Sequence, residues 1–444
     1  MRNILVAAVL LLALSTQANA ATPEQIEASI QNGTAWLVAN QNPDGSWGTS
    51  NQIAETGLIL YKLIDRAQEL GKDPLEVCGS SPTATCYIYA QNVKDGLNFT
   101  MTNVQTVAIT PQDHTAGATG TIDNPDTNGN GKGLAWESQA GGDRRSYSTG
   151  IVTAALSLLD GTKTVAVGPY AGTAYSLIVQ DAVDFLAYAQ SDAGSAQGGW
   201  EYNGQNNGSG ADNSVSGYAV LGLAEAQSKG YNVPAWVKTE LNVWIDYIQT
   251  DVNTPFCDNS GGPYDCIGGS GYEQPGSWVN ILKTGNLIQE MTLNGDSNTA
   301  PRVVNAKNYI TRHFFDTNIE PGWGYSLNPA HYQAMFTTMK GLEYANVPLL
   351  DINGDGTPEF DWWLNFTDVI VAQEIPAGAG QGYWSRCDWG DDNLCTAWAL
   401  LTLEKTAPES PPELKPVPAF TPIGIAALAG LLGVVAVVAI RRRL

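Results

Sequence analysis

Two stretches of this chain place oxygen-bearing side chains at the spacing of a twelve-residue calcium loop. The first is Asp126-Thr-Asn128-Gly-Asn130-Gly131-Lys-Gly-Leu-Ala-Trp-Glu137. It fits D-x-N-x-N-G-x5-E, in which positions 1, 3 and 5 supply oxygens, Gly allows a sharp turn and a final Glu closes the shell. The second is Asp351-Ile-Asn353-Gly-Asp355-Gly356-Thr-Pro-Glu359-Phe-Asp361. Its twelfth position is Trp362, so Glu359 or Asp361 must finish the site. The competing reading is a pair of Asn/Gly/Asp turns without an ion, since these residues dominate turns for conformational reasons.

Carboxylates elsewhere suggest saccharide chemistry. A glycosidase needs two of them about 5–10 Å apart, and the candidates are Glu201, Asp212, Glu273, Asp391 and Asp392. Arg144-Arg145 is the paired basic site of the body and would suit an acidic sugar. Thirteen Trp and eighteen Tyr residues supply ring faces for such a ligand, although packing is the commoner use of a Trp. In Asp388-Trp-Gly-Asp391-Asp392, the alternative is that Asp391 or Asp392 caps a helix beginning near Asn393.

Six cysteines form three local pairs, Cys78 with Cys86, Cys257 with Cys266 and Cys387 with Cys395. In an oxidising compartment this spacing favours short-loop disulfides. Zinc is the rival, but His114, His313 and His331 lie far apart in sequence.

The ends of the chain indicate export. Residues 1–20 combine Arg2, an apolar run from Ile4 to Leu14 and an Ala18-x-Ala20 exit, the pattern of a secretory signal peptide. Residues 407–422 form a Pro/Glu-rich linker, 423–440 an uncharged apolar run and 441–444 a basic tail. About twenty such residues span a bilayer, and the arginines should stay cytoplasmic, which leaves the body outside. Acidic residues outnumber basic ones 44 to 22, for a net charge of −22. That sign excludes nucleic acid as a partner. The sequons at Asn32, Asn98, Asn207 and Asn365 are candidate glycosylation sites.

The elements that must position these residues repeat. Gly33-Thr-Ala-Trp36-Leu37-Val-Ala-Asn-Gln41-Asn-Pro-Asp-Gly45-Ser-Trp47 reads G-x2-W-L-x3-Q-x3-G-x-W. An apolar helix ends at a Gln, a Gly/Asp turn follows, and then a Trp. Partial echoes carry Gln190 with Trp200, Gln249 with Trp278, Trp323, and Gln373 with Trp384. Each second helix begins with a Ser/Thr–Gly/Ala step in five units of six, as at Thr149-Gly150 and Thr284-Gly285. A helical Gly costs about 1 kcal/mol against Ala, so its recurrence points to close helix packing. The second helices are apolar nearly all round and should lie inside the first ones. This predicts an all-α fold over residues 21–406, an α/α toroid of about six helical hairpins with long calcium-loop-like insertions.

The Gly33–Trp47 stretch resembles the QW motif of squalene–hopene cyclases and related terpenoid cyclase/protein prenyltransferase repeat proteins. Asn32 stands where that motif carries a basic residue. The resemblance covers most of residues 24–405 and implies a structural role for Gln41 and Trp47. That family's acid motif is Asp-x-Asp-Asp, and Asp388–Asp392 departs from it by one residue. Separately, Val417-Pro418-Ala419-Phe420 with the apolar run and basic tail resembles the C-terminal sorting signals read by exosortase- and archaeosortase-type enzymes, with Pro-Ala-Phe in place of Pro-Glu-Phe. It implies a sorting transpeptidase as a partner. The leading expectation is an exported, membrane-anchored protein that binds a ligand, such as an envelope glycan, and carries structural calcium. A surface polysaccharide hydrolase or lyase comes next, and a terpenoid cyclase last.

Overall fold

The computed structural model describes residues 20–113, 122–137, 144–204, 210–259, 261–387 and 390–411. Almost all of them fall in one unit, Met1–Glu409; of the second, Ser410–Leu444, only residues 410 and 411 are described. The expected signal peptide, the apolar run at 423–440 and the basic tail therefore lie outside the described residues, as does most of the linker. Among those described, no helix is long and apolar enough to cross a membrane.

The chain is mostly helical. Its helices are α1 (Pro23–Ala39), α2 (Gln52–Glu69), α3 (Ala90–Thr102), α4 (Arg145–Ser157), α5 (Tyr175–Tyr188), α6 (Asn213–Ser228), α7 (Ala235–Ile248), α8 (Ile281–Asn294), α9 (Pro301–His313), α10 (Tyr332–Tyr344), α11 (Trp362–Ala372) and α12 (Asp392–Leu403). The first of these starts as the sequence directs. Thr22 and Gln25 form a reciprocal capping box and Pro23 takes the first turn.

Even- and odd-numbered helices differ in burial. Every residue of α4 from Ser146 to Ser157 is buried, and every residue of α8 from Ile281 to Leu293. In α9 only Val303, Ala306, Tyr309, Ile310 and His313 are, the one-sided stripe of a helix with a solvent face. The even helices pack in succession, α2 on α4, α4 on α6, α6 on α8, α8 on α10 and α10 on α12, and α12 packs on α2. Gly150 makes one of these contacts so close that a Cβ there would overlap the Tyr218 carbonyl.

The recurring motif does its work through hydrogen bonds. The indole N–H of Trp47 donates to the Leu37 carbonyl at 2.7 Å, that of Trp200 to Leu186 at 2.8 Å and that of Trp384 to Ile370 at 2.7 Å. Each thereby satisfies a carbonyl near the end of the preceding helix. The Gln amide joins neighbouring units. Gln41 donates to Gly45 in its own loop and Asn92 in α3, Gln190 to Gly198 and Val237, and Gln249 to Gly268 and Arg302. Gln373 reaches backwards instead, to Leu327. The last unit also meets the first: Tyr383 stacks on Trp36 at 4.9 Å, and Trp384 packs against Gly33.

The Ser/Thr at the start of the second helix has a role of its own in five units. Its hydroxyl accepts the backbone N–H at the motif's aromatic position, Trp47 to Thr56 at 3.0 Å, Trp136 to Thr149 at 3.0 Å, Trp200 to Ser216 at 3.0 Å and Trp384 to Thr396 at 3.1 Å. The same bond in the fourth unit runs from Ser270 to Thr284 at 3.1 Å. Ser270, not Trp278, therefore holds the motif position. Trp278 is 51% exposed, at a φ of 52°.

The expectation of an all-α chain is corrected. Ten short strands occur among the described residues, β1 (Asp73–Val77), β2 (Cys86–Tyr87), β3 (Val104–Ala108), β4 (Gln112–Asp113), β5 (Ile122–Asp123), β6 (Lys132–Trp136), β7 (Phe256–Asn259), β8 (Gly262–Asp265), β9 (Ile375–Gly378) and β10 (Gln381–Tyr383). They pair as β1 with β2 in parallel, and β3 with β6, β4 with β5, β7 with β8 and β9 with β10 antiparallel. All lie in connections between helices. At two to five residues, none is long enough for an alternating pattern to register. Disulfides join Cys78 to Cys86, Cys257 to Cys266 and Cys387 to Cys395, which fits an oxidising compartment.

Candidate functional site

Two of the expected catalytic acids are helix caps. Asp212 accepts from the Ser214 and Val215 amides at 2.8 Å each, closing the start of α6. Asp391 accepts from the Asn393 and Leu394 amides at 2.9 and 3.2 Å, closing α12. Burial pushes the Asp212 carboxyl up to about 6 despite these bonds. Asp392 is the first residue of α12, its carboxyl raised by burial and by Asp391. Glu201 is half-buried against Gly210, and Glu273 is exposed. Asp388 lies outside the described residues. The acid that does face Asp391 is one the sequence reading missed, Glu55, in the first turn of α2. Burial, then the Asp391 charge, pushes its carboxyl up to about 8.

The N-terminal turns of α4, α6, α8 and α10 converge on a cavity of about 340 Å³. Its charged lining is cationic, from Arg144 and Lys283, with His331 beside them and no Asp or Glu among the described lining residues. Tyr147, Tyr202, Tyr272 and Trp278 supply ring faces. Helix N-termini add partial positive charge at the same place. Arg145, the first residue of α4, is half-buried and not part of this lining. Trp278, Ile319 and His331 also line a neighbouring cleft of about 590 Å³, which reaches Glu320 and Arg386. Trp278 and Arg386 both hold positive φ, 52° and 60°, strain that a non-glycine residue keeps only where its surroundings enforce it.

Within the cavity each cation lies over an aromatic face. The Arg144 guanidinium is 5.3 Å from the Tyr202 ring centre. The Lys283 Nζ is 4.3 Å from Trp278 and 5.8 Å from Tyr272. Lys283 is 3% exposed, and burial drives its amine down to about 7 against the opposing pull of Glu320 and Asp212.

Polar groups meet between the even helices. The Trp398 indole donates to the Tyr218 hydroxyl at 3.2 Å, linking α12 to α6. Tyr61 of α2 donates to Glu225 of α6 at 2.8 Å, and Lys340 of α10 to the Gly217 carbonyl at 3.0 Å. Lys62 pairs with Glu404 at 2.5 Å, both fully buried. Each contact joins helices inside the succession through polar groups, so this region is no dry apolar chamber.

The calcium-loop stretches share one backbone arrangement. Asp351 accepts from Gly354, Asp355 and Gly356 amides at 2.8, 3.2 and 2.8 Å, and Asp126 from Gly129, Asn130 and Gly131 at 2.8, 3.1 and 2.7 Å. Asn353 and Asn128 each accept the amide two residues on. Asp351, Asp355 and Glu359 bring carboxylate oxygens within 4.8 Å of one another. Asp361 does not join them; it caps α11 through the Leu364 amide at 2.9 Å. Glu137 does not close the first loop. The extended β6 carries it about 20 Å past Gly131, where it accepts from Gln105 at 3.0 Å. Asp181 of α5 faces that loop instead, accepting from the amides of Asn128 and Asn130 at 2.6 and 2.8 Å. No sequence signal links Asp181 to a loop fifty residues earlier. Comparison with protein-family models and with curated proteins finds no match to this chain.

Proposed function

We propose that this chain is an exported, surface-anchored α/α toroid of six helical hairpins that binds an acidic saccharide in the cavity at the N-terminal ends of its second helices. The observation that carries this reading is the pairing of a buried lysine, Lys283, with an exposed and strained tryptophan, Trp278, at the mouth of that cavity. A sugar ring stacks on an indole face, and a carboxylate meets the Arg144 guanidinium. The cationic lining stands out in a chain of net charge −22, which would repel the same ligand elsewhere.

The succession of even helices, returning from α12 to α2, supports the toroid and its likeness to squalene–hopene cyclase-type repeats. Cyclase chemistry draws no such support, because polar contacts cross between the even helices where a hydrocarbon substrate would sit. A two-carboxylate hydrolase is also disfavoured at this cavity, whose described lining lacks Asp and Glu. Calcium at Asp351, Asp355 and Glu359 would be structural, tying the loop before α11. The apolar run at 423–440 would anchor the body, with or without a sorting transpeptidase acting near Pro418-Ala-Phe420. The test is a titration of the chain with oligouronates and with neutral oligosaccharides of equal length.

A further inference from the structure

Lys283 differs from the other deeply buried lysines described here. Lys62 is paired with Glu404, and Lys340 donates to the Gly217 carbonyl. The Lys283 Nζ has no ion pair and no hydrogen bond among the described residues; it rests on Trp278 and Tyr272 and lines the cavity. Nearly all of the side chain is hidden, so the solvent it meets is that of the cavity. A lysine desolvated in this way is a form in which amines act as nucleophiles toward carbonyl carbon.

We propose that Lys283 is a nucleophilic amine that captures a small 2-oxo acid in this cavity as an imine, an inference that rests on reading the cavity as an anion site. Arg144 takes the carboxylate, and the adjacent ketone faces the amine. The Nζ lone pair adds to the ketone carbon, and the ketone oxygen gains a proton to give a carbinolamine. That oxygen then leaves as water while nitrogen gives up its protons, so amine plus ketone becomes imine plus water with no change of oxidation state. Tyr202 and Tyr272 line the same space and carry hydroxyls that can relay those protons.

The charged and titratable groups around Lys283 set its protonation. Glu320 and Asp212 favour the ammonium, whereas burial favours the neutral amine. Burial prevails and brings the amine down to about 7. Near neutral pH its neutral fraction then exceeds that of an exposed lysine by about a thousandfold.

The test incubates the full-length chain, purified from membranes, with pyruvate and cyanoborohydride near neutral pH, then maps modified lysines by peptide mass spectrometry. The reductant traps the imine as a stable carboxyethyl amine. Lys283 should be labelled at least about tenfold faster than any exposed lysine, and Arg144→Met should slow that reaction without slowing labelling by glycolaldehyde, a neutral carbonyl. Wild-type mapping needs no variant to fold, and Lys283→Arg should remove the adduct. Labelling of Lys283 by glycolaldehyde but not by pyruvate would overturn the anion site beneath the proposal. An unlabelled Lys283 with both reagents overturns the proposal itself, even if acidic saccharides still bind.

Discussion

The Lys283 Nζ lies 4.3 Å from the centre of the Trp278 indole, a buried amine against an exposed ring. Residues of Trp's size are exposed on a strained backbone at a cost, and here the cost falls at a cavity mouth. Trp200, in contrast, is fully buried and hydrogen-bonded to Leu186. Trp278→Ala should therefore leave thermal stability nearly unchanged while weakening ligand binding. Trp200→Ala should lower unfolding free energy by about 3–5 kcal/mol. Urea denaturation of the two variants checks the contrast; equal losses would contradict it.

The hydroxyl at the start of five of the second helices makes a separate prediction. Thr396→Val keeps the shape but leaves the buried Trp384 N–H without its acceptor. The expected loss is about 1–3 kcal/mol, read by urea denaturation. Thr239, exposed on α7 with only a long bond to Ala235, serves as control, and Thr239→Val should cost far less.

Stability should fall as pH rises above the acid range. The Glu55 carboxyl is raised to about 8 from 4.5, so the stability held by its protonated form is complete below about 4.5 and lost as pH climbs through about 8. Glu225 and Glu404, each pushed up to about 7 by burial, act in the same direction. The depressed lysines work the other way. Lys340, lowered to about 7, contributes stability above its ordinary value of 10.5 and loses it as pH falls through about 7. Glu55→Gln removes one titration from this balance. Its melting temperature relative to wild type should rise by several degrees between about pH 5 and about pH 8.5. A constant difference across that range would show that Glu55 does not titrate as described.

Calcium should raise the melting temperature through the loop before α11. Glu359→Gln should abolish that shift, since Glu359 completes the cluster with Asp351 and Asp355. Glu137→Gln should leave it unchanged, because β6 holds Glu137 away from its loop. Asp361→Asn should weaken α11 equally with calcium and with chelator, as a cap would. Differential scanning calorimetry with and without chelator separates the three outcomes.

Much of the fold was legible because its signals are local. The Gln–Gly–Trp order, the Ser/Thr–Gly step and the cysteine pairs all act within one helical hairpin or between neighbours, and the hydrogen bonds of Gln41, Gln190 and Gln249 show how. Trp278 was misread because a second Gly-x-Trp, Gly276-Ser-Trp278, follows the true motif position at Ser270. The short strands escaped notice because two to five residues carry no period. The site was less legible. Arg144 was visible as a lone basic pair with Arg145, but Lys283 sits in an apolar helix, and only the convergence of four helix starts turns it toward Arg144. Asp181 and Glu55 acquire partners far away in the chain, which spacing cannot convey.

The most direct test of the central claim is isothermal titration of the chain with an oligouronate and with a neutral oligosaccharide of the same length, repeated for Arg144→Met and Trp278→Ala. The acidic ligand should bind at least about tenfold more tightly than the neutral one, a difference of about 1.4 kcal/mol. Both variants should lose that binding while keeping the wild-type melting temperature. Equal affinity for the two ligands, or binding that survives both substitutions, would contradict the assignment of this cavity to an acidic saccharide.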